Sequence, residues 1–134
     1  MNELQPVWID VVTATSVHER VVEAFGGEFG IRDPGLLESA LEPPKNLWAY
    51  ERRRASVPRM AAAIAFGIAR NHPFVDGNRR TAFVLSMLFL ERHGLELAAS
   101  QQEKYETFMA LAEGRRSEEE LGAWFEARTR VRSA

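Results

Sequence analysis

The alternation of apolar and polar positions is helical over most of this 134-residue chain. Residues 7–12, Val-Trp-Ile-Asp-Val-Val, are apolar and β-branched, but one such run cannot build a sheet and reads as an extended lead-in. Ser16 with Glu19 three residues on has the spacing of a capping box. Val17, Val21 and Phe25 then recur at helical spacing until Gly26-Gly27 stops the run, which predicts a first helix. Asp33 before Pro34 places a favoured N-cap ahead of a proline at the first helical position. Leu36, Leu37, Ala40 and Leu41 supply the buried face of this short second helix, ended by Pro43-Pro44. From 43 to 56 the periodicity lapses, and Trp48, Tyr50 and Arg52 to Arg54 read as an exposed loop or small hairpin.

Ser56 with Pro58 opens a third helix whose Val57, Met60, Ile64 and Ile68 share a face, while Ala61, Ala62, Ala63 and Ala65 permit close packing. It should end near Asn71, because His72 precedes a proline and is pushed out of the α region. The next helix, Asn78 to about His93, is apolar nearly all round at residues 81–90, as a central buried helix would be; Gly94 stops it. Ser100 with Glu103 caps a fifth helix carrying Tyr105, Phe108, Met109 and Ala112. Ser117 with Glu120 caps a sixth carrying Leu121, Trp124 and Phe125. The polar tail from Arg128 to Ala134 is expected to fray. These elements predict an all-α fold: one compact domain over residues 1–134, about six helices around a buried central helix.

Composition supports a globular chain, since 46% hydrophobic and 27% charged residues place it away from disordered and fibrous classes. The absence of cysteine excludes a disulfide framework and any thiolate metal site. Met1-Asn2-Glu3 begins no basic and apolar leader, and no apolar run is long enough to cross a bilayer. The expected location is therefore the cytoplasm, with no membrane partner. Net charge is only −2, but residues 45–80 hold eight cations (Lys45, Arg52, Arg53, Arg54, Arg59, Arg70, Arg79, Arg80) against two anions, Glu51 and Asp76. Fifteen arginines stand against two lysines, and the guanidinium fork suits phosphates and carboxylates. An anion is expected to approach this region. No DNA- or RNA-binding signature accompanies the cations, so direct nucleic-acid binding is not expected.

The segment His72-Pro73-Phe74-Val75-Asp76-Gly77-Asn78-Arg79-Arg80-Thr81 gathers the chemistry. A histidine titrates near neutrality and at a loop mouth can take a proton from a hydroxyl. Pro73 restricts the backbone beside it, and Phe74 serves as an anchor that pins the loop. Asp76 offers a hard oxygen to Mg²⁺, which uses few carboxylates and completes its shell with water and phosphates. Gly77 allows a tight turn close to a ligand, and Asn78 can cap the helix or donate to a phosphate. The helix start is an anion site by its unpaired N–H groups, and Arg79 and Arg80 add two charges there. Taken one at a time, each residue is an ordinary loop histidine, turn or solvated arginine. Two cations in a first helical turn are unfavourable for the helix itself, and a bound polyanion removes that conflict.

The same segment resembles the Fic/Doc signature, His-x-Phe-x-Asp/Glu-Gly-Asn-Gly-Arg in the Fic branch, with lysine replacing the second glycine in the Doc (death-on-curing) branch. The resemblance to the Doc branch extends through His18, the block Gly30-Ile31-Arg32-Asp33-Pro34-Gly35-Leu36-Leu37-Glu38-Ser39-Ala40-Leu41, and Phe89-Leu90-Glu91 with Gly94. It implies a Fic/Doc-type helical bundle, His72 as general base, Asp76 as ligand to Mg²⁺, and Gly77, Asn78 and Arg80 as contacts to ATP phosphates. Arg79 occupies the variable position. A long cation there obstructs the nucleotide pose of AMP transfer and fits the Doc branch, a kinase that phosphorylates a threonine of elongation factor Tu and halts translation. Phe83, where many Fic enzymes carry a further arginine, fits the same side. Thr15 to Glu19 has the spacing of a Fic inhibitory helix but continues with Arg20, so restraint is expected from a small antitoxin in trans. AMP transfer to a protein hydroxyl and a non-catalytic binding module are the alternatives.

Overall fold

The computed structural model describes residues 5–133. The reading of Met1-Asn2-Glu3 lies outside that range. Seven helices run through the described residues: α1 (Val11–Phe25), α2 (Pro34–Leu41), α3 (Pro43–Tyr50), α4 (Val57–Asn71), α5 (Asn78–Arg92), α6 (Gln101–Ala112) and α7 (Glu118–Arg128). Two short strands, β1 (Leu95–Leu97) and β2 (Thr129–Val131), pair antiparallel with Leu95 opposite Val131 and Leu97 opposite Thr129. The fold is all-α with this one ribbon attached. No helix among the described residues is long and apolar enough to cross a membrane.

Most helix ends follow the local chemistry. Asp33 Oδ1 accepts from Leu36 N at 3.1 Å and Ser56 Oγ from Arg59 N at 3.2 Å, each starting its helix with a proline in the first turn. Both capping boxes form: Ser100 and Glu103, and Ser117 and Glu120, exchange side-chain to backbone bonds of 2.9–3.2 Å. The start of α1 differs from expectation. Asp10 caps it by accepting from Thr13 N at 2.8 Å, so the helix begins five residues before Ser16 and absorbs part of the segment read as extended. Residues 43–56 also differ, since Pro43-Pro44 opens α3 instead of ending the chain's helical course. Glu42, itself in the α region, joins α2 to α3. Buried Pro44 and the core-facing Leu47 and Trp48 have i, i+3, i+4 spacing, which one turn is too short to display clearly.

The central helix is α4, not α5. It packs against α2, α3, α5, α6 and α7 and is buried along most of its length, whereas Phe83, Val84, Met87 and Leu88 on α5 are only half-buried. Small side chains decide this. Ala61, Ala62, Ala63, Ala65 and Ala69 are buried and let neighbours approach from several sides. At Gly67 a Cβ would stand 2.5 Å from Ala40 O, so the backbone of α2 lies directly on α4. The tail does not fray within the described residues: Thr129–Val131 forms β2, and Arg132 N donates to Gly94 O at 2.9 Å, extending the ribbon. Its side chains are largely exposed and give no apolar signal, which is why the pairing escaped the sequence pattern.

Candidate active site

The turn between α4 and α5 carries the predicted residues, and the helices that meet there set its geometry. α4 ends at Asn71, and its C-cap His72 adopts φ 47°, ψ 56°, a left-handed conformation that non-glycine residues enter at a penalty. His72 is exposed, and its ring has no hydrogen-bond partner among the described residues. It borders a cavity of about 400 Å³ lined also by Phe66, Arg70, Leu111, Glu113 and Arg116. The ring is thus open to an incoming hydroxyl.

Beyond His72 the chain forms a rigid loop. Pro73 and Phe74 are both buried, Phe74 completely. A splint from the chain before α2 runs beside them. Val75 N donates to Gly30 O at 3.0 Å, Ile31 bridges to Phe74, and Arg32 N and Asp33 N donate to Pro73 O at 2.7 and 3.1 Å. From the other side, buried His18 of α1 stacks on Phe74, ring centroids 4.0 Å apart and planes 6° from parallel. Its Nε2 lies 2.7 Å from Asp76 O. A carbonyl oxygen only accepts, so Nε2 carries the hydrogen and donates.

Asp76 is exposed at the site, its carboxylate braced by two backbone amides. Gly77 N donates to Oδ1 at 2.9 Å and Glu28 N to Oδ2 at 3.3 Å. Gly27 faces the same carboxylate, where a Cβ would stand 2.7 Å from Oδ2. Gly77 then caps α5 with φ 73°, a turn for which glycine carries no steric penalty. It adds no side-chain cap, so among the described residues the first-turn N–H groups of α5 receive no side-chain acceptor from it, the condition under which a helix start can take an anion.

Asn78 is held by the loop through both ends of its amide. Its Oδ1 accepts from Phe74 N at 3.0 Å and its Nδ2 donates to Phe74 O at 2.9 Å, which locks the loop to the helix start and leaves one amide hydrogen for a ligand. The two arginines diverge. The Arg79 guanidinium lies over Tyr105 of α6, 5.5 Å from the ring centroid, and Arg80 over Phe25 of α1 at 4.4 Å. Both line a cleft of about 280 Å³ floored by Phe83, Val84 and Phe108. Neither has an ion-pair partner among the described residues.

No cluster of three or more histidine, aspartate or glutamate side chains gathers among the described residues. A magnesium ion at Asp76 would therefore be shared with ligand phosphates. That fits its chemistry, because each carboxylate oxygen receives one backbone N–H and keeps a lone pair. The sequence did not expose His18, Gly27 and Arg32 as site-builders on physical grounds, since each meets the loop only through tertiary folding.

An exposed histidine at a helix break, an exposed carboxylate and an arginine-rich helix start without a side-chain cap thus meet in one splinted loop. The pattern of the Fic/DOC family matches residues 8–90, and the chain belongs to that family, on its Doc side. It is 42% identical to "Toxin Doc" of Mycolicibacterium smegmatis over 67% of this chain and 65% of that one. It is 31% identical to "Protein kinase doc" of Escherichia phage P1 over 65% of this chain and 68% of that one. The matched part thus spans about two thirds of the length of both relatives.

Proposed function

We propose that this chain is a Doc-like toxin of a toxin–antitoxin pair that transfers the γ-phosphoryl group of ATP to a protein hydroxyl. The observation that carries the reading is the juxtaposition of exposed His72 with the uncapped N-terminus of α5 across a loop splinted from both sides. The names of the two relatives, a toxin and a protein kinase, support it.

In this reading the first-turn N–H groups of α5 bind the phosphates, and Arg79 and Arg80 swing from their exposed rings to offset charge. Asp76 would hold Mg²⁺, which supplies charge neutralisation between the phosphates. His72 accepts the proton of the acceptor hydroxyl as its oxygen bonds to the γ-phosphorus. The bond from that phosphorus to the bridging oxygen breaks, and ADP leaves with its electron pair. The proposed acceptor is a threonine of elongation factor Tu, the acceptor that the Doc resemblance implies, with block of translation as the consequence. A small antitoxin is the proposed partner in trans, and the cytoplasm the proposed site of action.

The test uses ATP labelled at either the α or the γ phosphate, with elongation factor Tu as acceptor. Transfer of γ-label, abolished in a folded His72→Ala variant, is the expected result. Transfer of α-label instead would replace the reading with AMP transfer. Binding of nucleotide with transfer of neither label would leave a binding module.

A further inference from the structure

His72 occupies a conformation it does not prefer, and one side chain is placed to hold it there. Arg32, on the splint before α2, sends its guanidinium to the end of α4. Nε donates to His72 O at 2.7 Å and Nη2 to Asn71 O at 2.9 Å. These carbonyls lie at the negative end of the α4 dipole, where a cation is favourable. The backbone of Arg32 is fixed at the same time, because its N–H donates to Pro73 O at 2.7 Å. Asn71 is held in turn by its Nδ2 donating to Leu36 O at 3.0 Å. The fork therefore bridges two successive carbonyls from a base that cannot drift.

We propose that Arg32 is a positioning residue for His72, holding the histidine in its left-handed conformation so that the ring faces the acceptor. The inference rests on the kinase reading for the role of His72, but the clamp itself is a statement about the backbone. Without the fork, the nearest relief for His72 is a return to negative φ, which redirects its Cα–Cβ bond and carries the ring away. Lysine keeps the charge but lacks the planar fork that meets the two carbonyls from two separate, rigidly spaced nitrogens. Arg32 makes no ion pair among the described residues, so no acidic partner explains its placement.

Three proteins decide the matter: wild type, Arg32→Ala and Arg32→Lys, each checked for folding by thermal melting. A crystal structure of Arg32→Ala reads the φ of His72 directly, whatever the activity. The expected result is that φ leaves the left-handed region. In the γ-label assay kcat should fall about ten- to a hundredfold, as for a misplaced catalytic group, with KM for ATP unchanged and Arg32→Lys intermediate. A raised KM with kcat intact would overturn the proposal and make Arg32 a direct phosphate contact. His72 remaining near φ 47° in Arg32→Ala would overturn it too. Should wild type transfer no label, the kinase reading fails, while the crystal structure still decides the clamp. If Arg32→Ala does not fold, the same measurements on Arg32→Met, which keeps the apolar stem and removes both donors, decide it.

Discussion

His18 is the pillar on which the signature loop rests, and its two contacts can be separated. His18→Phe keeps a flat ring against Phe74, now 4.0 Å from the histidine ring, and replaces the Nε2 donor 2.7 Å from Asp76 O by a bulkier C–H edge that must move away from it. His18→Ala removes both. Leaving a buried acceptor unpaired costs about 1–3 kcal/mol, but Asp76 itself is exposed and its carbonyl can recruit water, which places this loss near about 1–2 kcal/mol. For a domain of this size that is a fall in melting temperature of about 3–10 °C. His18→Ala adds the lost stack and a cavity in a site only 1% exposed, for a total of about 3–5 kcal/mol. Urea denaturation of the three proteins at neutral pH, analysed for ΔG at constant m, measures both steps. His18→Phe matching wild type would refute the claim that the hydrogen bond supports the loop. His18→Ala matching His18→Phe would refute the contribution of the ring.

Packing and capping suggest two further perturbations. Gly67→Ala gains about 1 kcal/mol of helix propensity, but its Cβ meets Ala40 O at 2.5 Å, and overpacking against backbone costs about 1–3 kcal/mol. Net destabilisation, seen as a lower urea midpoint, is expected; a higher midpoint would show that α2 yields freely. The backbone N–H groups of Ser100 and Ser117 hold the Glu103 and Glu120 carboxyls below their ordinary value of 4.5, with Arg128 adding to the effect on Glu103. Because the folded pKa values are depressed, these caps stabilise fully above the ordinary carboxylate range and lose that contribution as pH falls below 4.5 through the depressed values. A Glu103→Gln/Glu120→Gln protein should show a flatter loss of stability as pH falls below 4.5 in parallel melts.

How much the sequence revealed depended on the range of the interaction. Helix starts written within four residues, such as Ser56, Ser100 and Ser117, are legible because the cap and the amide it satisfies are neighbours in the chain. Asp10 was equally local but was overshadowed by the better-patterned Ser16 and Glu19, whose spacing occurs inside a helix as well. Apolar length is an indirect signal for centrality. α5 is richer in large apolar residues, yet α4, with its alanines and Gly67, is the helix that neighbours can approach from most sides. The candidate residues of the turn between α4 and α5, 72–80, can be read together because they are contiguous. His18 and Arg32 reach it across sequence separations of 58 and 40 residues, and no local pattern encodes such a contact.

The arginines show where a sequence argument needed the structure to set its size. Two cations in the first turn of α5 oppose the helix dipole, and a bound polyanion offered one relief. The structure supplies another, since each guanidinium leaves the axis for an aromatic face. The rings are more than half exposed, Tyr105 at 60% and Phe25 at 62%. At such exposure a cation–π contact is worth only about 0.5–1 kcal/mol. A charge-assisted bond from guanidinium to phosphate is stronger, on the order of 1.5–3 kcal/mol. The rings therefore hold the arginines at the mouth of the cleft without competing seriously with a phosphate. The electrostatic conflict at the helix start is thus eased in the free protein by these contacts. Asn78, by contrast, is bound to Phe74 through both ends of its amide, which ties the shape of the loop to the start of α5.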